Sequence, residues 1–298
     1  MTRISHFLSG GILAALLLFG LPAGADSLAD SARPIFARNQ HSVVTVQVVL
    51  KISGSGGRTG EIKSDLTGTV VDPSGLTVLA LSACDPTELA QRINPDNSQV
   101  DTEVTDIKIL LDDGTELPAE IVLRDKDLDL AFVRPKTKLA TPMDAVDLGK
   151  SSPVQVLDSV LTINRLNRAA GRSYAASLEI ISAVMQKPRT FYIPDSAMTT
   201  TSLGCPAFAM NGNIVGIVVM RAVSAKGAGR GSSRDYVTSV ILPAEDILKG
   251  AKQAPEVKPE STDTNTPAAT PDTNTPSATP APGTNSTSSM LPGGTGDK

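Results

Sequence analysis

The feature that most constrains this chain is a hydrophobic period of two that restarts many times. Val44, Val46, Val48, Leu50 and Ile52 alternate with Thr45, Gln47 and Lys51, the pattern of a strand with one buried and one wet face. A strand around residues 69–71 leads into the turn sequence Asp72-Pro73-Ser74-Gly75 and then into residues 76–81. Ile107, Ile109 and Leu111 recur around Lys108, Asp112-Asp113-Gly114 turns the chain, and residues 116–123 return. Further short strands are predicted over 154–163, 178–184, 190–193, 214–220 and 236–242. Short strands separated by turns point to an all-β sandwich or barrels rather than βαβ units. One helix is signalled, after the last strand: Pro243 opens it, Glu245 and Asp246 sit at its positive end, and Lys249 and Lys252 sit near the other.

The two ends read differently. Arg3, an apolar run over 11–21 and Ala23-Gly24-Ala25 have the form of a secretory leader cut after Ala25. No later stretch is apolar enough to stop transfer, so an exported chain without a membrane span is expected, periplasmic or extracellular. From residue 253 onward Pro, Thr, Ser, Asn and Asp dominate, with a tandem unit over 263–271 and 272–280. A tail of that composition buries too little apolar surface to offset its chain entropy, so disorder over 253–298 is expected. It reads as a spacer, a glycosylated stalk or a tether, or as an inert extension.

Chemistry-bearing residues are scarce between those ends. Aromatic residues make up 3% with no Trp, and the net charge is −4. Base-stacking platforms and a phosphate-tracking surface are therefore not expected, and nucleic acid is not an expected partner. Two His and two Cys in the whole chain exclude zinc fingers and CxxC redox motifs. No metal and no cofactor is expected. Loss of the leader removes His6 and leaves His41 as the only imidazole.

Four ordered segments resemble the trypsin-like fold, and within it the bacterial HtrA (Do-like) proteases. Residues 68–76, Gly-Thr-Val-Val-Asp-Pro-Ser-Gly-Leu, are similar to the strand, turn and strand that precede that family's histidine. Asp113-Gly114, Pro118-Ala119-Glu120 and the run over 125–131 are similar to the approach to its aspartate. Leu148-Gly149-Lys150-Ser151 and residues 179–183 resemble the start and middle of its second barrel. Gly204-Cys205-Pro206 with residues 211–217 resembles the nucleophile loop and the hairpin after it. The resemblance spans about 32–252. It implies two packed six-stranded antiparallel β-barrels, over 32–145 and 146–252, with a short C-terminal helix, and no PDZ module follows.

Carried over position by position, the resemblance places Ser82 where the family has its histidine, Asp129 at the aspartate and Leu203 at the nucleophile. A serine hydroxyl has no protonation equilibrium near neutral pH and is no general base, and an isobutyl group attacks no carbonyl. Thr201 stands at the glycine whose N–H helps form the oxyanion hole, with Ser202 and Gly204 in the same loop. Asp129 is then expected to serve structure, accepting from backbone N–H groups or from the Ser82 hydroxyl. Cys84 and Cys205 each lie two residues beyond a triad position, and the implied fold in an exported protein predicts a disulfide between them. His41 reads as a surface or barrel-edge residue.

Other groups carry weaker chemical signals. A Ser-Lys pair would need Ser202 or Ser82 beside Lys187 or Lys226. Asp112-Asp113 reads as turn chemistry rather than a metal site, and the glycine-rich stretch 227–231 precedes no helix. Arg165, Arg168 and Arg172 in one loop and Arg221, Lys226, Arg230 and Arg234 in another read as a basic rim for an acidic partner or as solvated loop charge. The expectation is a pseudoprotease that binds or scaffolds a peptide or protein, with the old cleft or a sheet edge holding an extended segment by strand addition. The alternatives are a serine-type endopeptidase with displaced catalytic groups, and a structural envelope protein working through its tail.

Overall fold

The computed structural model describes residues 25–53, 59–87, 89, 101–196, 202–223 and 237–256. The leader, Thr201, Lys226, Arg230, Arg234, the stretch 227–231 and the tail beyond 256 lie outside the described residues.

Strands β1 (Val43–Ser53), β2 (Thr59–Asp72), β3 (Leu76–Ala80), β4 (Asp101–Leu110), β5 (Glu116–Asp125) and β6 (Leu130–Pro135) close a barrel in the order β1-β2-β3-β6-β5-β4. A second barrel closes in the order β10-β11-β12-β9-β8-β7. Its strands are β7 (Ser159–Arg165), β8 (Tyr174–Met185), β9 (Phe191–Pro194), β10 (Pro206–Ala209), β11 (Ile214–Ala222) and β12 (Val237–Pro243). Every pairing within the two barrels is antiparallel. The fold is thus the two-barrel architecture that the resemblance predicts, within the all-β class that the strand pattern predicts.

Local chemistry sets the turns. At the β2–β3 turn Ser74 N–H donates to Asp72 Oδ1 at 2.8 Å and Gly75 N–H to Asp72 O at 2.9 Å. Gly75 stands at φ 92°, a conformation that favours glycine. The predicted closing helix is α3 (Ala244–Ala251), with Pro243 before it and Glu245 and Asp246 in its first turn; α2 (Leu81–Cys84) is a single turn after β3.

Two features depart from the sequence reading. Residues Ala25–Asn39 form a helix, α1, that was not expected; it has Pro34 inside it and buries Ala32 and Ile35. The chain also stays packed past residue 252, for Ala254 is buried and Pro255 O accepts from Arg134 Nε at 2.9 Å.

Three apolar clusters make the core. One fills the first barrel around Val46, Val48, Leu79, Ile109 and Val133, and another fills the second around Val160, Ile181, Leu203, Val218 and Ile241. The third draws Leu130 and Phe132 from the first barrel, Ile163, Phe208 and Leu242 from the second, and Ile247 from α3. The barrels therefore share apolar packing rather than meeting only through polar rims.

Candidate functional site

The junction of the barrels holds a carboxylate with several donors. Asp129, at the head of β6, stands at φ 58°, a left-handed conformation that costs a non-glycine residue on the order of 1 kcal/mol. Its backbone carbonyl accepts Leu81 N–H at 2.9 Å, tying the head of β6 to the start of α2. Its Oδ1 accepts Ser82 N–H at 2.6 Å, while Oδ2 accepts the Ser82 hydroxyl at 2.9 Å and Met220 N–H at 2.7 Å. Hydrogen bonds to an ionised acceptor are worth more than neutral ones, and these hold the strained residue. Because Met220 belongs to β11, the carboxylate also joins the two barrels.

Ser82 and Asp129 border a cavity of about 120 Å³ between the barrels, which Phe191, Met220 and Arg221 also line. Arg221 lies over the Phe191 ring, 4.9 Å from its centroid, a cation–π contact. The Ser82 hydroxyl donates to Asp129 Oδ2, and Lys226, one of the two lysines that a Ser-Lys pair would use, lies outside the described residues.

Leu203 does not line that cavity. It is 3% exposed and packs with Val160, Ile181 and Tyr192 in the interior of the second barrel, in a cluster that reaches Ala80 and Ala83 on either side of Ser82. Gly204 follows at φ 86°, donating to Val218 O at 2.7 Å and accepting Thr69 Oγ1 at 2.8 Å. A Cβ on Gly204 would lie 2.3 Å from Thr67 O, so the close approach of this loop to β2 requires glycine.

The disulfide expected between Cys84 and Cys205 is not formed; both thiols are free and buried. Cys84 packs inside the first barrel and Cys205 inside the second. Burial, reinforced by the nearby Asp85 charge, pushes the Cys84 thiol up to about 12, and burial raises Cys205 as well. Thiols held in this state are poor nucleophiles.

The arginines of the first basic loop are engaged with carboxylates of the first barrel. Arg165 Nη1 donates to Asp112 Oδ1 at 2.9 Å, and Arg172 Nε donates to Asp65 Oδ2 at 2.7 Å with Arg168 at 3.9 Å from the same carboxylate. Arg165 also stacks over the Tyr174 ring, 3.9 Å from its centroid. Tyr174 donates to Asp112 Oδ2, which lies 3.2 Å from His41 Nδ1. Burial and that bond raise the Tyr174 phenol. His41 is thus exposed and engaged with Asp112, and it is not among the residues that line the cavity beside Ser82. Among the described residues no group of His, Cys, Asp and Glu could hold a metal, and no helix is long and apolar enough to cross a membrane. The sequence reading missed Met220, Phe191, Asp65 and Tyr174, which carry no local motif and matter only through contacts distant in sequence.

Residues 66–217 match the Trypsin-like peptidase domain family. A relative from Pseudomonas fulva (strain 12-X), "Probable periplasmic serine endoprotease DegP-like", is 26% identical over 203 residues, 66% of this chain and 37% of that protein. A relative of the same description from Bartonella henselae is 32% identical over 126 residues, 41% of this chain and 24% of that protein. The chain thus spans well under half the length of these relatives. The crystal structure of the MamO protease domain from Magnetospirillum magneticum aligns at 16% identity and a TM-score of 0.45, covering 72% of this chain and 98% of that one. Because the family model covers residues 66–217, just over half of the chain, this chain belongs to the Trypsin-like peptidase domain family.

Proposed function

We propose that this protein is an exported pseudoprotease whose cleft holds a peptide or protein segment without cleaving it. The observation that carries the reading is the Ser82–Asp129 pair. At the position assigned to the histidine, a hydroxyl that cannot act as a base occupies the carboxylate that would orient an imidazole. The assignment of Leu203 to the nucleophile position adds to it, since that side chain is buried and unreactive.

A binding role has a structural basis. β10 pairs with β11 only as far as Ile217, and Val218 then exchanges bonds with Gly204 and Cys205. Beyond Val218 that edge of β11 pairs with no strand among the described residues and runs along the cavity through Met220 to Ala222. An extended segment laid there would add a strand. Export is supported by the leader-like N-terminus and by the periplasmic description of the relatives.

Incubation of the purified protein with a denatured protein substrate tests the reading. No cleavage is expected, together with capture of intact peptides that Ala222→Pro weakens by removing an edge donor. Hydrolysis that disappears in Ser202→Ala would instead establish a serine-type endopeptidase with displaced groups.

A further inference from the structure

The cavity beside Ser82 has a size and a hydrogen-bonding polarity that select a ligand. A water claims about 30 Å³ of liquid, and a cavity of about 150 Å³ holds a benzene ring, so 120 Å³ suits a five-membered ring. Ser82 Oγ gives its only hydrogen to Asp129 Oδ2, and a hydroxyl whose proton is committed offers only lone pairs to anything else. That corner of the cavity therefore accepts. Leu81, Leu128, Phe191 and Val219 supply apolar wall. Three carboxylates, Asp85, Asp127 and Asp129, line it against two cations, Lys126 and Arg221, so a protonated ring is accommodated as well as a neutral one.

We infer that this cavity binds an imidazole-type ring, a small planar aromatic that donates one N–H to Ser82 Oγ. The ring arrives either as the histidine side chain of a segment held in the cleft or as a free imidazole compound. The first source rests on the peptide-holding reading above; the second does not.

Titration of the purified protein with imidazole, followed through the amide signals of Ser82, Asp129 and Met220, is expected to saturate. At alkaline pH, where both rings are neutral, 1-methylimidazole lacks the N–H and is expected to bind about fivefold more weakly, the worth of one neutral hydrogen bond. Ser82→Ala is expected to weaken imidazole by a similar factor, and Ser82→His to abolish the saturable shifts by filling the space. The methyl comparison uses the unaltered protein and so does not depend on a variant folding. Absence of saturable shifts, or equal binding of the two rings, overturns the inference. Two peptides differing only by His against Ala separate the sources: tighter binding of the first assigns the site to a held segment, and equal binding beside saturable imidazole assigns it to the free compound. Proteolysis of a denatured substrate would defeat the pseudoprotease reading while leaving the imidazole shifts in place. Missing shifts without proteolysis would defeat this inference alone.

Discussion

Asp129 accepts Ser82 twice and Met220 once, and the amide of an asparagine could not replace it without turning an N–H₂ group toward a donor. Asparagine tolerates the left-handed backbone, so Asp129→Asn isolates the hydrogen bonding from the strain. Denaturant unfolding is expected to show a loss of about 2–3 kcal/mol, and a change within error would mean that the carboxylate does not stitch the barrels. Leu203 gives the complementary test. Buried at 3% exposure, its truncation to Ala should cost about 2–4 kcal/mol as a cavity mutant, whereas a residue at the mouth of an open cleft would cost little. The thiols are checked directly: a thiol reagent should find none reactive in the folded, unreduced protein and two after unfolding. Finding none after unfolding would restore the disulfide.

At the scale of elements, the β7–β8 hairpin is clamped to the first barrel by Asp65 and Asp112, and the clamp has a pH signature. Burial works to raise Asp65, but hydrogen bonds from Arg172 and Gln47 and the charges of Arg172 and Arg168 outweigh it and hold the carboxyl below its usual range. A depressed folded value stabilises above the unfolded carboxylate value of about 4 and is lost as pH falls through the folded value. Melting curves of the parent should therefore drop more steeply below about pH 4 than those of Asp65→Asn, which lacks that term; parallel curves would sink the clamp.

What the sequence disclosed at this scale follows burial. The alternation of β1 and the turn at Gly75 were legible because half-buried strands and glycine turns write themselves into local pattern. The first half of β2, Thr59 to Leu66, was not, because it is polar and is held by its pairing with β1. β10 is only four residues long, begins with Pro206 and is wholly buried, so it shows no alternation. α1 was hidden by Pro34 and its short apolar content. The Ser82–Asp129 contact was legible only through the family resemblance that assigns both positions, whereas Met220, 91 residues from Asp129, had no signal short of the fold itself.

For the whole molecule the question is whether two barrels behave as two units. The apolar cluster between them takes Phe132 from the first barrel and Phe208 and Ile217 from the second, and α3 lays Ile247 into it. α3 follows the second barrel in sequence, yet Gly250 sits so close to the Phe132 ring that an added Cβ would lie 2.9 Å from it. Thr69 Oγ1 reaching Gly204 O at 2.8 Å and Asp129 reaching Met220 add polar ties across the same junction. Neither barrel can open without exposing surface that belongs to the other, and this favours a single cooperative transition. Phe132→Ala is the sharpest probe, because it should cost about 3–5 kcal/mol and the loss should be felt on both sides. Hydrogen exchange is expected to show protection falling together in β6 of the first barrel and in β11 and β12 of the second. If protection falls in the first barrel alone, or if unfolding splits into two steps, the shared cluster is only a contact surface and the cleft between the barrels is free to hinge.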